Sequence, residues 1–169
     1  MKILLKTWSV IYHLWYYTVV VFSILLILPF IFLTSLSQNT YNNFFWWSRL
    51  WAKTVLVGMG FWWVVKRQAE VDPNKTYIII GNHASEIDIM MMFALVKNCF
   101  VFIGKKELAK MPLFGYFYKR TNILVDRKSL ASKRAVLKKA AARIAEGTGV
   151  CVFPEGGIPD PKHLLGPFK

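Results

Sequence analysis

Residues 77–88 read YIIIGNHASEID, a short run of β-branched residues that ends in a glycine and leads into a histidine and two acidic residues. Tyr77–Gly81 has the composition of a buried strand bounded by a turn residue. Ser85 and Asp88 fit the S-x-x-D/E capping box, so we expect a helix to begin at Ser85 with Asp88 in its first turn. The stretch therefore predicts a strand followed directly by a helix, the unit from which parallel sheets are built.

The same alternation of strand and helix continues along the chain. Short apolar runs predict three further strands, Phe100–Gly104, Asn122–Val125 and Val150–Phe153. Helical patterns occupy Ile87–Lys97 and Ser129–Glu146. The apolar face of the second helix is expected to consist of Val136, Leu137, Ala140, Ala141 and Ile144. We therefore expect an α/β fold with a mixed, largely parallel sheet flanked by helices.

The N-terminal part of the chain has a different composition. No Asp, Glu, Lys or Arg occurs from Thr7 to Ser48, and the apolar run Val10–Leu36 exceeds the ~20 residues that cross a bilayer as a helix. A second apolar stretch, Thr54–Val65, is too short to span. We expect residues 1–65 to form a membrane-associated helical hairpin and residues 66–169 to form the α/β domain.

Basic residues set the expected orientation of this hairpin. Lys2 and Lys6 precede the first apolar stretch, and the second is flanked by basic residues on both sides, Arg49 and Lys53 before it and Lys66 and Arg67 after it. Both ends of the hairpin are therefore expected on the cytoplasmic face. A cleaved signal peptide is a poorer interpretation, because the apolar run is too long and lacks a clear A-x-A site. A single crossing, with the rest of the chain on the far side, remains the other alternative.

Charge and cysteine content exclude several classes of protein. The 169 residues contain 22 Lys and Arg against 9 Asp and Glu, a net charge of +13 that favours an anionic partner. The aromatic residues concentrate in the charge-free segment rather than among lysines, which argues against nucleic acid as that partner. Cys99 and Cys151 form no CxxC pair, and the histidines His13, His83 and His163 are widely separated, so no metal site is predicted.

Three stretches carry candidate chemistry. His83 and Asp88 follow the first strand, and a carboxylate that holds a histidine in one tautomer prepares it as a general base. Glu155 and Gly156 follow the last strand, where ligands of α/β sheets bind. Lys105 follows the second strand and could pair with phosphate. Each stretch also has an ordinary structural interpretation, as a helix cap, a surface turn or a solvated lysine.

Together, the motifs and their order resemble the membrane-bound glycerolipid acyltransferase family typified by 1-acylglycerol-3-phosphate acyltransferase. His83 to Asp88 matches the H-x4-D motif, and Lys105–Gly115 matches the K-x-E-L-x3-P-x-F-G block. Val125–Arg127 matches V-D-R, and Phe153–Gly156 matches F-P-E-G. Four ordered blocks are far more specific than any one of them.

The resemblance implies a role for each motif. His83 would act as the general base, oriented by Asp88, so that an acceptor hydroxyl attacks an acyl thioester without an acyl-enzyme. Glu155 and Gly156 would bind the glycerol part of a lysophospholipid acceptor. The remaining substrate-binding positions would be Lys105, Gly115 and Arg127, with the two cations on phosphate. No cofactor is expected, because the donor, acyl-CoA or acyl-acyl carrier protein, is itself a substrate.

The chain departs from the family pattern after F-P-E-G. Gly157 and Ile158 replace the usual Thr-Arg, which predicts that a cationic contact to phosphate is missing. The acceptor would then be a different lysolipid, with Arg127 or the basic helix at 129–146 compensating. A later block of the family is absent before Lys169, so the C-terminal part of the family domain is expected to be missing. The competing interpretation is a catalytically inactive membrane protein that binds anionic phospholipids.

Overall fold

The computed structural model describes residues 2–37, 40–112, 114–158, 160 and 168. The fold divides into two compact units, one of residues 1–67 with 89–95 and the other of residues 68–88 with 96–169. The expected domains, 1–65 and 66–169, stay a prediction, because the two units are defined by contacts between residues, which do not test whether each part folds independently.

The first unit is helical. It contains α1 (Lys2–Thr34), α2 (Tyr41–Gly58) and most of α3 (Ile87–Leu95). Within the described part of the chain, one helix is long and apolar enough to cross a membrane by length and composition, the stretch Leu4–Thr34 of α1. This agrees with the first apolar segment of the sequence, although the helix begins earlier than Val10.

Contacts at both ends show that α1 and α2 form the expected antiparallel hairpin. The Trp15 indole N–H donates a hydrogen bond to the carbonyl of Gly58 at 2.9 Å. Toward the other end, the Phe30 ring stacks on Trp47 with centroids 4.3 Å apart. Because Gly58 has no side chain, Val19 of α1 can approach its backbone closely; a Cβ there would lie 2.8 Å from Val19 Cγ1.

The second apolar stretch, Thr54–Val65, does not form an element of its own. Its first half ends α2, and its second half continues beyond the helix without regular structure. The α2 helix begins at Tyr41, and its buried residues recur with the period of a helix, at Phe44, Phe45, Ser48, Ala52, Val55 and Leu56. A basic residue of α2 connects this helix to α3, since Arg49 Nε donates a hydrogen bond to the Phe93 carbonyl at 3.2 Å.

The second unit is a four-stranded sheet with helices. Its strands are β1 (Ile78–Ile80), β2 (Phe100–Lys105), β3 (Ile123–Val125) and β4 (Gly149–Val152). The strand order is β1-β4-β2-β3, and all three neighbouring pairs are parallel. The sequence interpretation of an α/β fold with a largely parallel sheet is confirmed, and each predicted strand lies within two residues of an observed one.

The helices of this unit match the sequence less evenly. A 3-10 helix, Lys106–Lys110, and α4 (Phe114–Thr121) were not predicted. The predicted helix at 129–146 is α5 (Leu130–Ala145), capped by Ser129. The predicted apolar face of this helix is only partly buried: Val136 is buried, but Leu137 and Ala141 are exposed, so the prediction is wrong for these two residues. The buried face is narrower than the apolar pattern, since only one side of α5 contacts the sheet.

A parallel sheet collects the residues after each strand at one edge. The segments that follow β1, β2, β3 and β4 begin near residues 81, 106, 126 and 153. All four leave the carboxyl ends of strands, which is where ligands bind in α/β folds. This edge, called the catalytic edge below, holds every candidate site residue of the sequence analysis except Gly115, which lies in α4.

A glycine near the end of β2 makes room for a tyrosine of α4. Tyr118 is 8% exposed, and its phenol lies directly over Gly104. A Cβ at Gly104 would overlap the Tyr118 hydroxyl and lie 2.7 Å from its Cζ. Because Tyr118 is enclosed, its ring has little room to move aside. The position of Tyr118 therefore requires a residue without a side chain at 104, and the two residues specify one another in this sense.

We predict that Gly104→Ala destabilises the protein by about 1–3 kcal/mol, the usual cost of overpacking. Tyr118→Leu should remove the overlap, so the double variant Gly104→Ala/Tyr118→Leu should be more stable than the sum of the single effects predicts. Thermal unfolding of the four proteins measures this coupling. Strictly additive effects would show that the two residues do not specify one another.

Candidate active site

His83 and Asp88 meet at the catalytic edge. The Nδ1 atom of His83 lies 3.3 Å from Oδ2 of Asp88. Their side chains are 16% and 28% exposed, so the pair is enclosed but accessible from solvent. Nδ1 contacts the carboxylate, and in the described part of the chain the only hydrogen bond to the imidazole is this one. Nε2 therefore has no hydrogen-bond partner among the described residues.

The capping box of the sequence explains how Asp88 is held. Oδ2 of Asp88 accepts hydrogen bonds from the backbone N–H groups of Ala84, at 2.7 Å, and Ser85, at 2.8 Å. Ser85 Oγ accepts in turn from the N–H of Ile87 at 3.3 Å. The bond from the Ser85 N–H to Asp88 is one half of a capping box, while Ser85 Oγ accepts from the N–H one residue earlier than in the standard box. The same oxygen that starts the helix therefore contacts the imidazole.

An aromatic ring stacks on one face of the His83 imidazole. The ring of Phe153, directly after β4, lies 4.4 Å from the His83 ring at an interplanar angle of 19°. Phe102 of β2 continues the stack, with its centroid 5.9 Å from that of Phe153. The sequence analysis quoted Phe153 only as part of a motif and missed this contact. An aromatic residue at a strand end, next to a candidate acid, is the signal that could have indicated it.

Glu155, which follows Phe153 by two residues in the sequence, is buried. It is 3% exposed, and its Oε2 atom has no hydrogen-bond partner among the described residues. A buried carboxylate without a partner is costly, because burial removes the water that would otherwise solvate its charge. Such an oxygen is suited to accept a hydrogen bond from a bound hydroxyl group.

Two cations adjoin the glycines that follow Glu155. Gly156 has a φ of +69°, and a Cβ there would lie 3.1 Å from Nη1 of Arg127. A Cβ at Gly157 would lie 4.0 Å from Nζ of Lys105. Neither cation forms an ion pair within the described residues. The turn therefore lies between two positive side chains from the ends of β3 and β2.

Tyr118 adds a neutral polar group close to these charges. Burial raises the pKa of its phenol to about 12, an effect opposed by Arg127 and reinforced by Glu107. The phenol therefore stays protonated at neutral pH and adds no negative charge next to Arg127. No sequence signal indicated Tyr118, because its position depends on the unrelated Gly104.

The structure thus brings together six of the seven residues selected from the sequence, and Gly115 stands apart. His83, Asp88, Lys105, Arg127, Glu155 and Gly156 lie in the four segments of the catalytic edge. Gly115 is buried in α4, where a Cβ would lie 2.6 Å from the carbonyl carbon of Ala109. This close approach explains the glycine by packing, and its assignment to substrate binding stays a prediction.

The described residues contain no candidate metal site, because no group of three or more His, Cys, Asp or Glu side chains among them could hold a metal ion. His163 lies outside the described residues.

Comparison with known proteins relates this chain to lipid acyltransferases. A model of the family described as acyltransferase matches residues 63–169. The 1-acyl-sn-glycerol-3-phosphate acyltransferase of Haemophilus influenzae is 36% identical over 94 residues, 54% of this chain and 39% of the relative. The lyso-ornithine lipid O-acyltransferase of Rhizobium meliloti is 26% identical over 121 residues, 71% of this chain and 40% of the relative. The chain spans about two fifths of the length of these relatives.

A solved structure shares the fold. The crystal structure of the 1-acyl-sn-glycerophosphate (LPA) acyltransferase PlsC from Thermotoga maritima matches with a TM-score of 0.75 and 20% sequence identity, over 95% of this chain and 66% of that one. At that identity the match concerns the fold alone. The family resemblance inferred from four motifs is confirmed by the family model, which covers the whole α/β region, and this chain belongs to the acyltransferase family.

Proposed function

We propose that the protein transfers an acyl group from an acyl thioester to the free hydroxyl of a lysophospholipid such as 1-acylglycerol-3-phosphate. The observation that carries this proposal is the contact between His83 Nδ1 and Asp88 Oδ2 at the end of β1. A histidine paired in this way is suited to act as a general base. The relatives support a lysophospholipid acceptor, since the protein of Haemophilus influenzae and other matched relatives are 1-acyl-sn-glycerol-3-phosphate acyltransferases.

The carboxylate determines which nitrogen acts as the base. Asp88 Oδ2 is held by two backbone N–H groups, so its position does not depend on His83. A carboxylate at Nδ1 favours the tautomer that carries its proton there, which leaves the lone pair on Nε2. After proton transfer, the same carboxylate stabilises the imidazolium. The separation of 3.3 Å is normal for a catalytic pair before substrate binds.

The chemical step follows from this assignment. Nε2 of His83 accepts the proton of the acceptor hydroxyl as its oxygen forms a bond to the thioester carbonyl carbon. The carbon–sulfur bond then breaks, and the thiolate leaves with the electron pair. The imidazolium returns its proton to the thiolate, which regenerates the neutral base and releases the thiol.

The proposed mechanism has no acyl-enzyme, because the described residues place no suitable nucleophile next to His83. Ser85 Oγ accepts a hydrogen bond from the N–H of Ile87 and forms no bond to the imidazole. Cys151 in β4 is completely buried, and burial raises the pKa of its thiol to about 12. A thiol with that pKa contains almost no thiolate at neutral pH, so it is a poor nucleophile.

The remaining side chains are suited to the acceptor. The unpartnered Oε2 of Glu155 would accept a hydrogen bond from a glycerol hydroxyl. Arg127 and Lys105, on either side of the Gly156–Gly157 turn, would bind the phosphate. The exposed Ile158 stands where the family usually has arginine, so Arg127 would supply the cationic contact that this position lacks.

The other substrate and the location follow from the same proposal. The donor would be acyl-CoA or an acyl-acyl carrier protein, with no further cofactor. The long apolar α1 helix would keep the protein on phospholipid membranes, with the α/β domain on the cytoplasmic face. If the tests below fail, the alternative of a catalytically inactive protein that binds anionic phospholipids takes its place.

His83→Ala should lower acyl transfer by ~10²–10⁴-fold, the contribution of a positioned general base. Asp88→Asn should also impair transfer, because an amide cannot balance the charge of the imidazolium. The release of free thiol from an acyl thioester, measured with and without lysophospholipid, tests both variants. His13→Ala in α1 is the matched control and should retain the parent rate.

Thermal unfolding has to accompany these rates, since Asp88 also caps α3. A folded His83→Ala protein that transfers acyl groups at the parent rate would contradict the mechanism.

Glu155→Gln should reduce kcat/KM for the acceptor by about tenfold to a hundredfold, the value of a hydrogen bond to a charged group. It should not lower the melting temperature, because the substitution removes a buried, unpartnered charge while keeping its shape. Glu86→Gln, at an exposed position next to the site, serves as the control. A large loss of stability with unchanged kinetics would assign Glu155 a structural role instead.

Arg127→Gln and Lys105→Gln should each raise the KM for a phosphorylated acceptor, because each removes a positive charge assigned to phosphate. The KM for the acyl thioester should change little. Lys128→Gln, at the exposed neighbouring position, should leave both constants unchanged. The phosphate assignment is wrong if neither variant changes the KM for the acceptor.

A further inference from the structure

Exposed apolar side chains project from the segment that follows β2. Leu108, Met111 and Phe114 expose 37%, 50% and 47% of their surfaces. Single exposed apolar residues are common, but these three lie close together in the sequence, within residues 108–114. We call these three residues, with the exposed lysines Lys105, Lys106 and Lys110, the apolar corner.

The backbone of the corner is held in one arrangement. Gly115 packs against the backbone of Ala109, where a Cβ would lie 2.6 Å from the carbonyl carbon. Its N–H donates to the carbonyl of Met111 at 2.8 Å. The first turn of α4 is thereby fixed against the 3-10 helix. The Phe114 ring stacks on Tyr118 of the same helix, with centroids 5.1 Å apart, and still leaves about half of its surface exposed.

The charge of the corner matches an anionic surface. Residues 105–110 contain three lysines and one acidic residue, Glu107. None of the three lysines forms an ion pair within the described residues. Apolar side chains bordered by lysines are typical of protein surfaces that lie at the boundary between phospholipid headgroups and acyl chains.

We propose that the apolar corner inserts into an anionic phospholipid bilayer and holds the catalytic edge against its surface. The proposal rests on the proposed function, because an acceptor with an acyl chain resides in that bilayer. β2 ends at Lys105, which is both the first lysine of the corner and a candidate phosphate ligand. A corner seated in the headgroup layer would therefore bring the acceptor phosphate to Lys105 without extracting the lipid into water.

A second surface of the same unit provides a matched comparison. Leu130 and Leu137 of α5 are 74% and 72% exposed, and Lys133, Arg134 and Lys138 lie nearby in the sequence of the helix. By composition alone, α5 would be an equally good candidate for insertion into a bilayer. The α5 helix packs along the sheet beside β3 and β4, however, whereas the apolar corner follows the carboxyl end of β2. The proposal therefore assigns insertion to the corner and not to α5.

Local depth measurements test the corner independently of α1, which would hold any variant on the membrane. Met111→Cys and Leu137→Cys, each in a Cys99→Ser background, are labelled with an environment-sensitive fluorophore; the buried Cys151 should not react. The proteins are reconstituted into vesicles of phosphatidylcholine with or without phosphatidylglycerol. Brominated acyl chains, included in the phospholipid, quench a fluorophore that enters the bilayer.

The expected result is quenching and a blue shift at position 111, stronger in the anionic vesicles, with neither effect at position 137. Three results would overturn the proposal. They are no quenching at position 111, equal quenching at both positions, and a shift at position 111 that requires added acyl carrier protein. The last result would assign the corner to an acidic protein partner.

Activity provides a second measurement. Leu108→Gln/Met111→Gln should lower transfer to an acceptor embedded in vesicles by about tenfold or more, since two apolar side chains lose their lipid contact. Transfer to a short-chain, water-soluble acceptor should stay at the parent rate, and Leu130→Gln/Leu137→Gln should change neither rate. Equal losses with both acceptors would overturn the proposal. An inactive parent protein would contradict the proposed function, while the quenching result would still decide the role of the corner.

Discussion

A single carboxylate oxygen organises the candidate site. Oδ2 of Asp88 accepts hydrogen bonds from the N–H groups of Ala84 and Ser85 and contacts Nδ1 of His83. The backbone bonds fix the loop after β1 and the start of α3, so the carboxylate is held in place independently of the imidazole. The group that holds the start of α3 thus also positions His83. In the proposed mechanism, a preorganised carboxylate of this kind would need no rearrangement when the imidazole takes up a proton.

The order of the strands separates two kinds of chemistry along the catalytic edge. His83 follows β1 and Glu155 follows β4, which are neighbours in the sheet. Lys105 ends β2 and Arg127 follows β3, and these two strands are also neighbours. The proposed proton acceptor thus lies toward one side and the cations toward the other, with the Gly156–Gly157 turn adjoining the cations. A lysophospholipid has the same polarity, with its hydroxyl separated from its phosphate by the glycerol backbone.

Local features could be predicted from the sequence, and contacts between distant residues could not. The strands and the capping box at Ser85 depend on neighbouring residues, so their patterns are visible in a single sequence. The stacking of Phe153 on His83 and the space that Gly104 leaves for Tyr118 depend on the sheet and on α4. Leu137 shows a related limit, because an apolar period gives the direction of a face but not its width. The four catalytic-edge segments could be placed together because parallel strands end at one edge.

The position of β4 affects how the protein folds. This strand lies between β1 and β2, with Ile78 aligned to Val150 and Phe100 to Gly149. The first two strands to leave the ribosome therefore have no contact with each other through the sheet until the fourth enters between them. Such non-local pairing slows folding and leaves strand edges exposed to other chains. Assembly of the site thus waits for nearly the whole described chain, and nascent chains that stop before residue 149 would be prone to aggregate.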